Sequence, residues 1–208
     1  MALVAKYNSR GQMTSDKYEK PNDLMQWMMD IATDDEYTPD NLANRFVYTI
    51  MGSIRSVVEV VMNCLYELVE RPEYIEPIRE EMRQVLAEDR EWGKWSASRL
   101  LKTDSFIKEI SRHYPPSALA FRRIVALPKD TYVCIATTSP AQDDVPNPYE
   151  FDGFRYYHER MAHKAGASRY DYASTDSTHI GFGHGRNACP GRFAASLEFK
   201  MLLAHTIL

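Results

Sequence analysis

Apolar positions recur at helical spacing through most of the chain up to Tyr114, and that spacing predicts the elements in turn. Asp23 to Ala32 predicts a short amphipathic helix with Leu24, Trp27, Met28 and Ile31 on its inner face. After an acidic turn, a run from about Leu42 to Glu70 carries apolar side chains almost all round, among them Phe46, Ile50, Ile54, Val57, Val61 and Leu65. Such a helix belongs at the centre of a domain. Arg45, Arg55, Glu59 and Glu67 interrupt it too often for a membrane span. Gly52, Ser56, Glu59 and Asn63 fall on one stripe of it, either a solvated stripe or a polar seam facing a cavity; periodicity alone favours the solvated stripe.

Arg71-Pro72 ends that helix, and Pro72 suits the first turn of the next, whose inner face is Ile75, Ile78, Met82, Val85 and Leu86. A short helix at 96–101 follows. Another predicted helix runs to Tyr114, with Thr103 or Asp104 as N-cap and Pro115-Pro116 as terminator. The texture then changes. Residues 121–126 and 131–138 are rich in β-branched side chains and predict short strands. From Ser139 to Gly183 the chain reads as irregular, with prolines at 140, 146 and 148, and a loop of that length is usually functional or disordered. A last amphipathic helix runs from about Arg192 to Leu208.

Composition narrows the function classes. Hydrophobic residues make up 44%, charged residues 26%, and the formal net charge is −4, with no clustered basic patch to suggest nucleic acid. Cys64, Cys134 and Cys189 are too few and too far apart for a disulfide framework, and without a Cys-x-x-Cys pair they do not suggest structural zinc. Residues 1–22 form a polar lead-in with neither a signal-peptide core nor a membrane anchor, and residues 23–208 read as one domain.

The segment from Phe182 to Phe193 carries the candidate chemistry. Gly183, Gly185 and Gly191 let the backbone turn tightly and approach a flat ligand closely. Cys189 stands just before a helix N-terminus, where the helix dipole, Arg186 and Arg192 favour a thiolate, and backbone amides donated to the sulfur would tune a bound metal. These residues alone leave three readings open: a haem-thiolate ligand, a reactive thiol, or a glycine-rich turn with an incidental cysteine.

The string itself resembles the cysteine-ligand loop of the cytochromes P450, Phe-x-x-Gly-x-[Arg/His]-x-Cys-x-Gly, matched by Phe182, Gly185, Cys189 and Gly191. Its Ala-Cys-Pro-Gly-Arg-Phe ending looks most like fungal secondary-metabolism members. Glu109-Ile-Ser-Arg112 is similar to the family's Glu-x-x-Arg, and Phe151-Asp-Gly-Phe154-Arg155 to the meander whose arginine completes a Glu-Arg-Arg network. Residues 66–81 look like the end of the long central helix and its successor, so the resemblance covers about 20 to 208.

The resemblance implies a mainly α fold with minor β, the C-terminal haem-binding part of the P450 fold, incomplete. It implies haem b, with Cys189 on the iron, Phe182 and Gly185 against the cofactor, and Arg122 or Arg123 on a propionate. It further implies a monooxygenase acting on an apolar small molecule, with NADPH–cytochrome P450 reductase as electron donor, at the endoplasmic-reticulum membrane in full-length relatives. With no anchor of its own, this chain would be cytoplasmic or of unassigned location. The alternative is a truncated, catalytically silent remnant that binds haem weakly or serves only as an interaction surface. Four departures bear on this choice. The distal oxygen-activating pair falls on Arg55-Ser56, where Ser56 keeps a catalytic hydroxyl but Arg55 cannot shuttle a proton. Asn187 stands where the loop pattern has Arg or His, and the hairpin between Val125 and Leu127 is almost absent. The helices that would cover the distal pocket, and the C-terminal hairpin that reaches the substrate, do not occur in the chain.

Overall fold

The computed structural model describes residues 20–89, 92–93, 95–115, 119–120, 135–136, 145–163, 166–176 and 179–208. The chain divides into two compact units, Met1–Arg55 and Ser56–Leu208.

In the first unit, the Asp23 side chain accepts the Gln26 amide at 2.9 Å and caps helix α1 (Leu24–Ile31). Met25 and Met29 of α1 form a small core with Leu42, against which Met28 and Phe46 pack. The inner face is therefore rotated from the expected one. Trp27 and Ile31 are 55% and 75% exposed. The Trp27 indole N–H is satisfied at the surface by Asn22, at 3.0 Å, so its position there leaves no polar group unpaired.

The second unit carries the main core. Helix α2 (Pro39–Glu70) contributes Val57, Val60, Cys64 and Leu68 to it, at spacings of three and four. Val58, Met62, Tyr66 and Val69 remain exposed, so α2 is covered here along one stripe and not all round as its composition suggested. After a 3-10 turn at Pro72–Tyr74, α3 (Ile75–Asp89) adds Ile78, Met82 and Val85. Helix α4 (Leu101–His113) is the most enclosed element, buried from Thr103 to Arg112 and packed against α3, against α5 (Arg155–Ala162) and against α6 (Arg192–Ile207).

Neither Thr103 nor Asp104 caps α4, which starts two residues before Thr103. A carboxylate from α3 does that work: Glu81 accepts the Lys102 and Thr103 amides at 2.7 and 3.0 Å and the Thr103 hydroxyl at 2.8 Å. The free N–H groups of a buried helix start need acceptors, and here another helix supplies them. Helix α5 lies inside the stretch expected to be irregular; Asp152 accepts the Phe154 amide at 3.0 Å and turns the chain into it. Leu119–Ala120 (β1) pairs antiparallel with Ile135–Ala136 (β2). The second of these lies in an expected strand; residues 121–126, expected as the other, lie outside the described residues.

Tyr74, Phe106, Phe151 and Phe154 pack ring to ring at 5.0 to 5.8 Å between centroids, pinning the segment before α5 onto α4. Gly153 threads through this group, where a Cβ would lie 2.7 Å from Phe106 Cδ2 and 2.9 Å from Tyr74 Cε1. Gly153→Ala should lower the urea-unfolding stability of the protein by about 1–3 kcal/mol through overpacking. Gly52→Ala, on an exposed turn of α2 with nothing within 4 Å, should raise it by up to about 1 kcal/mol.

Candidate functional site

Two groupings of the expected site residues form in the second unit. The first centres on the Glu109 carboxylate, which has no exposed surface. One turn along α4, Arg112 grips it along one edge of its guanidinium, Nε donating to Oε2 at 2.9 Å and Nη2 to Oε1 at 2.7 Å. Arg155, at the start of α5, donates to Oε1 at 3.3 Å, and the Asp152 amide does so at 3.1 Å. His113 Nε2 lies 3.4 Å from the same oxygen. Burial alone would raise the Glu109 carboxyl. The hydrogen bonds from Arg112, His113 and the Asp152 amide outweigh that and hold it down at about 2.

Further donors of the two arginines go to backbone carbonyls, and Arg112 Nη2 also meets His113 Nε2. Arg112 bonds Pro148 O at 2.6 Å and Glu150 O at 3.3 Å; Arg155 bonds Glu150 O at 2.8 Å and also Pro146 O. A stretch with no regular structure is thereby strung on two guanidiniums that are themselves fixed by one anion.

The second grouping is the Cys189 loop. Gly183 and Gly185 adopt φ of +78° and +69°, a region open to glycine and strained for other residues. Those two turns bring the chain back on itself, so that the Cys189 amide donates to Phe182 O at 2.7 Å and the Ala188 amide to Gly185 O at 3.1 Å. Cys189 is a free, exposed thiol, with Gly191 behind it leaving room where a Cβ would touch Sγ at 3.8 Å. Arg192 donates from Nη1 to Cys189 O at 2.9 Å, and its guanidinium lies 4.3 Å over the exposed Phe193 ring. Among the described residues no backbone amide is bonded to Sγ. Nor do the described residues hold any cluster of three or more metal-binding side chains. An exposed sulfur on a closed, glycine-bent loop fits a planar metallocofactor that brings its other ligands with it.

Ser56 sits half-buried on α2, an element apart from both groupings. Arg122 and Arg123 lie outside the described residues. Asn187 is exposed on the 3-10 turn that leads to Cys189.

The sequence did not single out Lys108, Tyr172, His179 or Lys200. Lys108 is buried on α4 and donates to the carbonyls of Arg169 and Asp171 at 3.1 Å each. Burial lowers its amine to about 8, against the pull of Asp104. It lines a cavity of about 250 Å³ together with Pro146, Arg155, Tyr156 and His179, whose imidazole burial and Lys108 push down to about 3. Tyr172 packs edge-on against Phe182 of the Cys189 loop, and Lys200 pairs with Asp104 on α4. Each is an ordinary residue type at an unremarkable spacing, and only the fold brings them to the site.

The family model for cytochrome P450 matches residues 2–208. Cytochrome P450 monooxygenase AN1598 of Emericella nidulans is 42% identical over 202 residues, covering 91% of this chain and 38% of that protein. An ent-kaurene oxidase of Gibberella intermedia is 38% identical over 201 residues, covering 89% of this chain and 38% of its own. The chain thus spans well under half the length of these relatives. Retinoic acid-bound cyanobacterial CYP120A1 superposes with a TM-score of 0.71 over 99% of this chain and 47% of that one, a likeness of fold at 19% identity.

The Glu109 carboxyl has a sign that can be checked. Its folded value of about 2 lies below the ordinary 4.5, so its contribution is complete above pH 4.5 and lost as pH falls from there towards 2. Acid titration of unfolding stability should lose about 3 kcal/mol through that window in the native chain. Glu109→Gln should show little of that slope and start about 3–5 kcal/mol lower at neutral pH, because it strands two buried arginines.

Proposed function

Since the chain belongs to the cytochrome P450 family, we propose that Cys189 is the sulfur ligand of a haem b iron in a monooxygenase that places one oxygen atom from O2 into an apolar small molecule. The observation that carries this is the presentation of Cys189: a free, exposed thiol at the end of a loop closed by the 2.7 Å bond from its amide to Phe182 O. When bound, haem supplies the redox chemistry that activates dioxygen, and the sulfur's electron donation favours O–O cleavage.

The roles of the protein groups follow from their placement. The two left-handed glycines and the Phe182–Cys189 bond fix the backbone that carries the sulfur, so that little loop ordering remains to be done on binding. Phe182 and Gly185 offer an apolar ring and a side-chain-free backbone to a flat ligand. The Glu109–Arg112–Arg155 network fixes the 146–155 stretch, and Arg122 or Arg123 is assigned to a propionate. The Ser56 hydroxyl is the group we assign to holding a proton for dioxygen activation. We read residues 23–208 as part of one haem-binding domain. The ent-kaurene oxidase relative supports an apolar substrate of fungal secondary metabolism. The working protein is assigned NADPH–cytochrome P450 reductase as partner and the endoplasmic-reticulum membrane as location. No helix among the described residues is long and apolar enough to cross a membrane.

A second reading, in which the chain is catalytically silent and binds haem weakly or serves only as an interaction surface, is supported by the exposed apolar side chains of α2, Val58, Met62, Tyr66 and Val69. Oxidation of a substrate by the haem-loaded chain with reductase and NADPH would overturn it.

Titration of the chain with haem, reduction and addition of carbon monoxide should give the red-shifted band of thiolate-ligated iron. Cys189→Ala should abolish that band, and its persistence would sink the ligand assignment. Arg112→Ala should lose haem on gel filtration more completely than Ser56→Ala, because it breaks a buried network while the serine change removes one hydroxyl. Equal retention in the two variants would contradict the assignment of the network.

A further inference from the structure

Tyr172 stands between the Cys189 loop and the two helices beneath it. It is 2% exposed, and every part of it is used. Its backbone amide donates to Asp104 Oδ2 at 2.6 Å, and its hydroxyl accepts from Ser111 at 3.0 Å, both on α4. Its ring meets Phe199 of α6 at 5.6 Å and, on the loop side, Phe182 edge-on at 5.1 Å. Phe182 is the residue whose carbonyl holds the Cys189 amide. Directed contacts therefore run without a break from Asp104 to the backbone of the cysteine.

Asp104 does not hold Tyr172 alone. Its other oxygen, Oδ1, is paired with Lys200 Nζ of α6, and both side chains are nearly enclosed, at 6% and 8% exposure. A carboxylate in such a place is oriented by its paired cation, and the Lys108 ammonium on the same helix is a second charge that acts on it. Remove the Lys200 ammonium and the carboxylate has reason to rotate or admit water, and either loosens its grip on the Tyr172 amide. The pair is separate from the Glu109 network, which acts on the 146–155 stretch.

We propose that the buried Asp104–Lys200 pair is a latch that sets the position of the Cys189 loop through Tyr172, which makes Asp104 and Lys200 positioning residues for the sulfur. Its use in haem binding rests on the reading of Cys189 given above; the latch itself is a property of the polypeptide alone. Sequence spacing could not expose it, because its members lie 68 and 96 positions from Asp104, the first following from the Tyr172 bond and the second from the Lys200 pair.

Hydrogen–deuterium exchange on the full chain without haem tests the latch directly. Lys200→Met should speed exchange of the Ala188 and Cys189 amides by at least about tenfold, with the core amides of α3 unchanged, and Lys200→Arg should restore slow exchange. Unchanged exchange at Cys189, or equal acceleration throughout α3, would overturn the proposal, the second outcome marking a merely structural pair. Should Lys200→Met fail to fold, Asp104→Asn carries the same comparison, since it keeps an acceptor for Tyr172 but drops the charge. In the haem-loaded chain, Lys200→Met should move part of the reduced carbon monoxide complex from the thiolate band to shorter wavelength, and Lys200→Arg should reverse this. A thiolate band that survives in Cys189→Ala would end the ligand reading while leaving the exchange result to stand or fall by itself.

Discussion

A carboxylate with no exposed surface is the constraint from which much of this structure follows. Glu109 can stay ionised in the interior only if its charge is matched and its lone pairs are filled, and that demand recruits Arg112, Arg155, His113 and the Asp152 amide. Each arginine brings further donors that must also be satisfied, and these collect the carbonyls of Pro146, Pro148 and Glu150. One buried anion thus orders a stretch that has no helix or strand ladder of its own.

The same logic repeats along α4. Asp104, Lys108, Glu109 and Arg112 are all buried, and each is answered by a different part of the chain: α6, the 169–171 backbone, α5 and the 148–150 backbone. Its apolar positions, Phe106, Ile107 and Ile110, supply the core contacts common to any enclosed helix. The charges decide which segments lie where, since a wrong neighbour would leave an ion unpaired. Fold likeness to CYP120A1 at only 19% identity is consistent with a framework held by a few such constraints.

How much of this was legible in the sequence depended on range. Glu109 and Arg112 stand three apart on one helix, so their pairing was open to a local reading, whereas Arg155 came into view only through family resemblance. The Phe182–Phe193 string was legible because its chemistry is confined to a dozen consecutive residues. Thr103 and Asp104 were misread as caps because local propensity knows nothing of Glu81, which arrives from another helix. The face of α1 was displaced because Met25 and Met29 found Leu42, leaving Trp27 with a polar partner outside. Helix α5 has eight residues and no long apolar period to announce it. Lys200 and Tyr172 carried no signal at all, since a lysine and a tyrosine acquire meaning only from what the fold sets beside them.

The Glu81 carboxylate has a bearing on how such a chain reaches its final form. The helix it finishes begins about twenty positions further on, a span short enough that bringing the two together costs little chain entropy. Helices α3 and α4 complement each other as neighbours: α3 lends α4 a terminated start, and the two share an apolar face. The same α4 carries Asp104 and Ser111, which hold Tyr172 against Phe182, so the sulfur-bearing bend rests on a helix whose start is finished by a near neighbour in the chain.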